Sequence, residues 1–162
     1  MNSNYVIRPY RPEDWPAIEE IVKLIWTIGI DYIREKKYGY QIEGRPWHEH
    51  KLIAMRADIQ ARPDCWFVTE MEGRVVGFCS FDVKQDKGIG EVGLNGLHPD
   101  MRGKGYGTLQ LQFVLNELRK RGMKIAEVVT GRSDEGHAPA RKLYEKAGFV
   151  PLFDNQLYWM KL

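Results

Sequence analysis

The sequence predicts an α/β (α+β) protein in which helices cover the faces of a mixed, mostly antiparallel sheet. Strand-like and helix-like patterns alternate along all 162 residues, and a glycine-rich turn at residues 102–107 joins an apolar strand to an amphipathic helix. The predicted order β-α-α-β-β-β-α-β-α-β-β contains about seven strands and about four helices. Because neither an internal repeat nor a linker-like tract interrupts the chain, we expect a single domain, 1–162.

The N-terminal part predicts one strand and two helices. The strand covers residues 5–8, and the proline and two acids at residues 12–14 are typical of a helix start. Apolar side chains then recur at helical spacing, namely Trp15, Ile18, Ile21, Val22 and Ile25. Residues 27–45 show no clear period. A second helix is predicted at residues 46–61, and Pro63 stops it.

The middle part predicts three successive strands joined by tight turns. Residues 65–71 and 74–83 flank Glu72-Gly73, a two-residue hairpin signal. A second turn at residues 85–88 leads into a strand at residues 89–97. Strands joined by turns this short pair antiparallel, so most of the sheet should be antiparallel.

The C-terminal part predicts two further helices, one strand and a closing hairpin. In order, these are a helix at 106–121, a strand at 125–130, a helix at 139–147, and a hairpin of residues 149–153 and 156–162 around Asp154-Asn155. Gly122 and Gly148 follow the two helices, as glycines that end helices usually do.

Composition argues against several classes of protein. A net charge of +2 is too small to predict binding to nucleic acid or to an anionic membrane. No apolar stretch approaches the roughly 18 residues of a membrane span. Residues 1–4 show no secretion signal, so we expect a cytoplasmic protein, either monomer or homodimer. Cys65 and Cys79 fall in predicted strands and should be free thiols in that reducing compartment.

A metal site is not expected from the histidines. His48 and His50 are two positions apart on a predicted helix, so their side chains point about 200° apart and do not share a face. No cluster of cysteines accompanies them. We therefore predict no metal cofactor.

Two glycine patterns compete as phosphate-binding motifs. Residues 88–93 match G-x-G-x-x-G, but they follow a turn and continue into a strand, whereas a dinucleotide motif follows a strand and opens a helix. The G-x-x-x-x-G-K-[ST] loop of nucleoside triphosphatases is also missing. The turn at residues 102–107 has a strand before it and a helix after it, so its backbone N–H groups can bind phosphate.

Two motifs resemble those of a known family. The first is Arg102-Gly103-Lys104-Gly105-Tyr106-Gly107, and the second is Ala140-x-x-x-Tyr144-x-x-x-Gly148-Phe149. In this order and on these elements they resemble the GNAT superfamily of acetyl-CoA-dependent N-acetyltransferases. The resemblance implies the acyl-CoA N-acyltransferase fold, with central strands that splay at the coenzyme A site. It also implies an enzyme that transfers an acetyl group from acetyl-CoA to a primary amine by direct attack in a ternary complex.

The resemblance also implies which residues bind acetyl-CoA. The backbone N–H groups from Arg102 to Thr108 would hold the pyrophosphate; that segment contains Gly103, Lys104, Gly105, Tyr106 and Gly107. Asn95 and Leu97 would pair with the pantetheine arm as an added strand does, and the Leu97 N–H would polarise the acetyl carbonyl. His137 stands where the family often has an asparagine that contacts the pantetheine arm. It is a departure from the family pattern, although histidine can still donate a hydrogen bond.

The implied catalytic residues are Tyr144 and Glu91. Tyr144 matches the family's tyrosine near the sulfur of coenzyme A and would protonate the departing thiolate. Glu91 has the spacing of the base in the histone-acetylating branch. His98, His137 and a chain of water molecules remain open as alternatives for the base.

The resemblance implies that the acceptor enters on the side opposite coenzyme A, which in this sequence means residues from about 26 to 47 and the turn 154–156. This region is rich in aromatic and acidic side chains, which would suit a cationic amine, but basic residues dilute that pattern. The acceptor is expected to be a small-molecule amine or an amine of a peptide or protein. The alternative function is a catalytically silent acyl-CoA-binding regulator on the same fold.

Overall fold

The computed structural model describes residues 5–27, 29–131, 135–152 and 160. The chain divides into two compact units, Met1–Val128 and Val129–Leu162. The first unit contains the strands β1 Tyr5–Pro9, β2 Trp66–Met71, β3 Arg74–Lys84, β4 Ile89–Leu97 and β5 Ile125–Val128, and the helices α1 Trp15–Ile25, α2 Ile30–Tyr38, α3 Trp47–Ala61 and α4 Tyr106–Lys120. The second unit contains α5 Ala138–Lys146.

The strands form one mixed sheet in the order β1-β2-β3-β4-β5. β1 to β4 pair antiparallel, and β5 runs parallel to β4. This is the predicted mixed, mostly antiparallel sheet, formed by five strands of the described residues rather than about seven. Most of the predicted closing hairpin, residues 153–159, lies outside the described residues, and the single-domain prediction stays a prediction.

Helices cover both faces of the sheet in the first unit. On one face, the apolar stripes of α1 and α3 bury Trp66, Val68 and Phe78 in a continuous core. On the other face, α4 places Phe113 against Phe67 with ring centroids 4.8 Å apart. The side chains alternate between the two cores because successive strand residues point to opposite faces.

Close packing fixes α4 on the sheet. A Cβ at Gly90 of β4 would stand 2.5 Å from Cδ2 of Leu118, closer than real side chains approach. The glycine at this position therefore sets the distance between helix and strand. The G-x-G-x-x-G pattern at residues 88–93 lies in a turn and in β4, so it opens no helix.

One buried ion-pair network joins the first strand to the first helix. Arg8 of β1 donates to both carboxylate oxygens of Asp14 at 2.8 Å and to Glu70 of β2 at 2.8 Å. Asp14 is 4% exposed and also accepts the Arg11 backbone N–H. Charged-group hydrogen bonds of this geometry are among the strong ones, and here they lock the start of α1 against the sheet.

Three local predictions differ from the structure. Residues 30–38, where no period is visible, form α2, which buries none of its side chains and therefore needs no apolar stripe. Cys65 lies in the one-turn helix Pro63–Cys65 just before β2 rather than in a strand. The last helix begins at Ala138, one residue before Pro139. Both cysteines are free, and no helix in the described ranges is long and apolar enough to span a membrane.

Candidate active site

A β-bulge interrupts the pairing of β4 with β3 in the first unit. Gly93 and Leu94 together stand opposite Ser80 of β3, and the Leu94 N–H donates to Ser80 Oγ at 2.9 Å. A Cβ at Gly93 would stand 2.5 Å from that oxygen, so the bulge requires glycine there. Pairing between β4 and β5 ends just before the bulge, at Val92 and Val128. The last five residues of β4 therefore have no β5 partner.

At the end of β4, some backbone groups point to an edge where no strand of the described residues pairs with them. The His98 N–H donates to Val76 on β3 at 2.8 Å. In an antiparallel pair the residues alternate, so the backbone groups of Leu97 and Asn95 point to the opposite edge. An extended ligand can add to this edge as a strand does, which is the position expected for the pantetheine arm.

A buried glutamine supports this edge from α4. Gln110 is fully buried, and its Nε2 lies 3.2 Å from the carbonyl oxygen of Phe78 and 3.4 Å from that of Gly96. A Cβ at Gly77 would come within 2.7 Å of Leu97 Cδ2 and 2.8 Å of Gln110 Nε2. The absence of a side chain at Gly77 therefore makes room for both Gln110 and Leu97.

The glycine turn arranges several N–H groups at the start of α4. Gly103 and Gly105 have φ angles of 73° and 89°, a region that favours glycine. The N–H groups of residues 103–107 donate to no carbonyl oxygen in the described part of the chain. They lie at the N-terminal end of α4, which is the positive end of the helix dipole, and such an arrangement binds anions.

Two of the backbone N–H groups predicted to bind the pyrophosphate, one at each end of the segment 102–108, already have acceptors in the structure. The Arg102 N–H donates to Pro99 at 3.1 Å, and the Thr108 N–H donates to Gly105 at 3.0 Å. Both amides are therefore already used, and only the amides of residues 103–107 remain for a phosphate. The side chains of Arg102 and Lys104 are exposed and form no ion pair with a described carboxylate, so they can add positive charge.

Tyr106 contributes its backbone rather than its ring to the turn. Its side chain is buried, its hydroxyl donates to the Met71 sulfur at 3.9 Å, and its ring packs edge-on against Tyr5 at 5.9 Å. The ring therefore anchors the start of α4 to the end of the β1–β2 pair.

The Glu91 carboxylate, predicted as a base, is held in an ion pair. Lys84 Nζ lies 3.1 Å from Glu91 Oε2 and also contacts Glu127 on β5. Hydrogen bonds to Glu127 and Glu91 raise the pKa of Lys84, so this lysine stays charged. Leu97 lies six positions after Glu91 along the strand, a distance of about 20 Å. Glu91 is therefore too far away to take a proton directly from an amine at the Leu97 N–H.

The alternative base His98 caps the short helix before the glycine turn. Its Nδ1 lies 3.3 Å from the Asp100 backbone nitrogen and 3.5 Å from the Asp100 carboxylate, and its Nε2 lies 3.9 Å from Glu20. This arrangement favours a structural role for His98.

Two predicted site residues lie in the second unit. Tyr144 on α5 is 8% exposed, and its ring packs edge-on against Phe149 with centroids 5.8 Å apart. Burial raises the pKa of the Tyr144 phenol. A phenol that keeps its proton is a suitable proton donor. His137 occupies the position that precedes α5.

The acids of the expected acceptor region are mostly engaged. Asp31 contacts Arg34 and His50, at 3.3 and 3.1 Å, and Glu35 accepts the Trp47 N–H at 2.8 Å. These carboxylates are consequently less available to a cationic amine than the sequence indicates. Over the described ranges, no three His, Cys, Asp or Glu side chains gather closely enough to hold a metal ion.

Sequence reasoning missed Ser80, Gly77 and Gln110. Their roles depend on which strand positions face one another, and a sequence does not show that register. One signal was present, since a glycine inside a strand often marks a bulge or a close backbone approach, and Gly93 is such a glycine.

Comparison with known proteins identifies the family. A model of the acetyltransferase (GNAT) family matches residues 15–149. The mycothiol acetyltransferase of Thermomonospora curvata is 35% identical over 134 residues, which cover 77% of this chain and 44% of that relative. This chain therefore spans less than half the length of that protein.

Solved structures share the fold. AAC(6′)-Iy, solved with the bisubstrate analogue CoA-S-monomethyl-acetylneamine, has a TM-score of 0.67 at 15% identity, covering 99% of this chain and 100% of that one. The yncA protein of Salmonella typhimurium, solved with its cofactor acetyl-CoA, has a TM-score of 0.64 at 23% identity, covering 91% of this chain and 80% of that one. The predicted family and fold are thus confirmed: the chain belongs to the acetyltransferase (GNAT) family and shares the fold of these solved structures.

Proposed function

We propose that this protein transfers the acetyl group of acetyl-CoA to a primary amine by direct attack in a ternary complex. One observation carries the proposal. The free edge of β4 at Asn95 and Leu97 is followed directly by the N–H groups of residues 103–107. An extended arm ending in a pyrophosphate needs this combination, a strand edge followed by an anion cradle.

The residues present fit acetyl-CoA as a co-substrate. The amides of residues 103–107 would bind the pyrophosphate, and Arg102 and Lys104 would add charge to it. Asn95 and Leu97 would pair with the pantetheine arm, and the Leu97 N–H would stabilise negative charge on the acetyl oxygen. His137 is proposed as a further contact to the arm, from the family resemblance.

The proposed reaction needs two proton transfers. The amine nitrogen forms a bond to the acetyl carbon, and the bond from that carbon to sulfur breaks. The nitrogen loses a proton, and the thiolate of coenzyme A gains one. We assign the donor to Tyr144. Because Glu91 is about 20 Å along the strand from Leu97, we propose that a chain of water molecules carries the amine proton to it.

The test is a screen of small amines and peptides with acetyl-CoA. The expected result is release of free thiol together with an acetylated amine detected by mass spectrometry. The AAC(6′)-Iy complex contains an acetylneamine analogue, which supports placing small-molecule amines first in the screen. Acetyl-CoA should also raise the melting temperature, whereas ATP and NAD should not. No thiol release from any amine would contradict the proposal.

A second candidate is an acyl-CoA-binding module without catalysis. The ion pair between Glu91 and Lys84 favours it, because that pair ties up the proposed final proton acceptor. This candidate predicts stabilisation by acetyl-CoA without turnover. The same screen therefore separates the two functions.

A further inference from the structure

The bulge reverses the direction of the side chains along β4. Before it, Gly90 faces α4, because a Cβ there would stand 2.5 Å from Leu118. After it, Gly96 faces the opposite side of the sheet, because a Cβ there would stand 3.0 Å from Ile25 of α1. Positions six apart on a regular strand share a face, so the residue inserted at the bulge turns the end of the strand over. Leu97 faces α4 as a result.

Ser80 of β3 supplies the hydrogen-bond acceptor at the bulge. Gly93 and Leu94 stand together opposite this one residue, and the Leu94 N–H donates to Ser80 Oγ at 2.9 Å. A side-chain oxygen thus serves where an antiparallel ladder uses a backbone carbonyl. Ser80 is 3% exposed, so water has little access to the contact. Without the hydroxyl, the Leu94 N–H would lose its acceptor inside the sheet.

We propose that Ser80 is a positioning residue for the pantetheine arm of acetyl-CoA. Its hydroxyl fixes the bulge, and the bulge sets the direction of the backbone groups of Asn95 and Leu97 at the free edge. β3 and the free edge lie on opposite sides of β4, so Ser80 would act through Leu94 rather than by touching the arm. The inference rests on the proposed function, which assigns the arm to this edge.

The test separates the arm from the pyrophosphate. The N–H groups of residues 103–107 lie beyond the end of β4 and do not depend on Ser80. Titration calorimetry therefore compares CoA with adenosine 3′-phosphate 5′-diphosphate, which keeps the pyrophosphate and lacks the pantetheine arm. Ser80→Ala should raise the dissociation constant of CoA about tenfold and leave that of the diphosphate unchanged. The melting temperature shows whether each variant is folded.

Thr69→Val is the matched control. Thr69 of β2 is also a buried hydroxyl in the sheet, but its Oγ1 has no hydrogen-bond partner in the part of the chain that the structure describes. The change should leave both dissociation constants as they are. Gly93→Ala is a second way to disturb the contact, because a Cβ there would stand 2.5 Å from Ser80 Oγ. It should reproduce the Ser80→Ala pattern, which keeps the inference testable where one of these variants does not fold.

Amide hydrogen exchange tests the contact itself in the absence of any ligand. The Leu94 N–H should exchange slowly in wild type and about tenfold faster in Ser80→Ala. The His98 N–H donates to Val76 at 2.8 Å and should stay slow in both proteins.

Four results would overturn the inference. These are unchanged affinity for CoA in Ser80→Ala, equal weakening of CoA and the diphosphate in that variant, the same loss of CoA affinity in Thr69→Val, and fast exchange of the Leu94 N–H in wild type. The third result would assign the effect to packing of the sheet. Failure of wild type to bind CoA would instead contradict the proposed function, on which this inference rests.

Discussion

Gln110 bridges the backbone carbonyl oxygens of Phe78 and Gly96, next to Leu97, whose N–H is the proposed donor to the acetyl oxygen. Its Nε2 reaches Phe78 and Gly96 from inside the α4 core, and its Oε1 has no partner among the described residues. A buried amide that bridges two strands fixes their separation, because moving them would leave that donor unsatisfied. Because Gln110 is fully buried behind β4, we propose that it acts as a positioning residue through Gly96 and Leu97.

Gln110→Leu tests this role. The leucine keeps the volume but cannot bridge the two carbonyls, so the Leu97 N–H loses its fixed direction. We expect kcat to fall about tenfold, since one misdirected donor costs this much or more, while the KM for acetyl-CoA changes little. Steady-state kinetics measure both. An unchanged kcat in a folded variant would contradict the positioning role, and a loss of acetyl-CoA binding alone would assign Gln110 to the binding of acetyl-CoA.

Tyr144→Phe tests the proposed proton donor. The ring packing on Phe149 is kept, so the change removes only the hydroxyl. We expect kcat to fall about 10²-fold at neutral pH. Because burial raises the Tyr144 pKa above its ordinary value of 10.0, wild-type kcat should not decline on the alkaline side until the pH exceeds 10.0. The variant should lack that decline. Equal turnover of the two proteins at every pH would show that Tyr144 is not the acid.

Asp14→Asn tests the buried ion pair at the start of α1. Burial alone would raise the pKa of Asp14, but the hydrogen bonds from Arg8 and from the Arg11 N–H outweigh it and lower the pKa below 3.8. The carboxylate therefore stabilises the fold above that pH, and the stabilisation disappears as the pH falls through the lowered value. The variant should lose about 3 kcal/mol of unfolding free energy at pH 7.

Urea denaturation from pH 7 to pH 3 measures the effect. The difference in unfolding free energy between wild type and Asp14→Asn should become smaller towards pH 3. Glu43→Gln is the control, because Glu43 is exposed and its contact with Arg45 is 3.6 Å; it should change stability by less than about 1 kcal/mol. A gap that stays constant down to pH 3 would show that the charge of Asp14 is not what stabilises the fold.

At the scale of elements, the site is produced by one strand and the helix that follows it. β4 pairs with β5 only as far as Val92, then bulges and continues to Leu97 paired with β3. The chain next turns through residues 98–105 and starts α4 with its amides turned outward. The strand edge and the start of the helix are therefore formed by neighbouring segments of the sequence.

Gly105→Ala and Gly122→Ala form a matched pair at the two ends of α4. Both glycines have positive φ, 89° and 78°, and a Cβ at either meets nothing within 4 Å. Alanine should therefore cost about 1–2 kcal/mol of stability at both positions through backbone strain alone. Only Gly105→Ala should also weaken acetyl-CoA binding, by about tenfold, because it distorts the anion cradle. Thermal unfolding measures the stability of both variants, and titration calorimetry measures their affinity for acetyl-CoA. Equal affinity in the two variants would place the pyrophosphate elsewhere.

The sequence predicts local elements better than their register. The bounds of β4 match the prediction, since turns frame its apolar run, and the hairpin at Glu72-Gly73 has the positive φ angles of 50° and 80° that its turn signal implies. By contrast, α2 was not predicted, because a helix that buries none of its side chains leaves no apolar pattern in the sequence. The position of the bulge was not predicted, because Gly93 meets Ser80 only through long-range pairing.

The same limit applies to the candidate site. The motif at residues 102–107 predicts an anion cradle from local sequence, and the structure trims that cradle to five amides. The contacts of Lys84 with Glu91 and Glu127 depend on how β3, β4 and β5 pair, which the sequence does not show. The site roles assigned from the family resemblance stay predictions.

At the scale of the whole molecule, two faces of one sheet serve different purposes. α4 covers one face and supplies Gln110 and the anion cradle. α1 and α3 cover the other face and enclose its apolar core. We propose that the pantetheine arm of acetyl-CoA lies along the free edge of β4 and that its pyrophosphate lies in the turn before α4.

Amide hydrogen exchange, resolved by residue with NMR, tests this claim most directly. Without ligand, the N–H groups of Leu94 and His98 should exchange slowly because they donate to Ser80 and Val76. The N–H groups of Asn95, Leu97 and residues 103–107 should exchange fast. Saturating acetyl-CoA should slow the exchange of this second set. Binding of acetyl-CoA that leaves Leu97 and residues 103–107 exchanging as before would contradict the account.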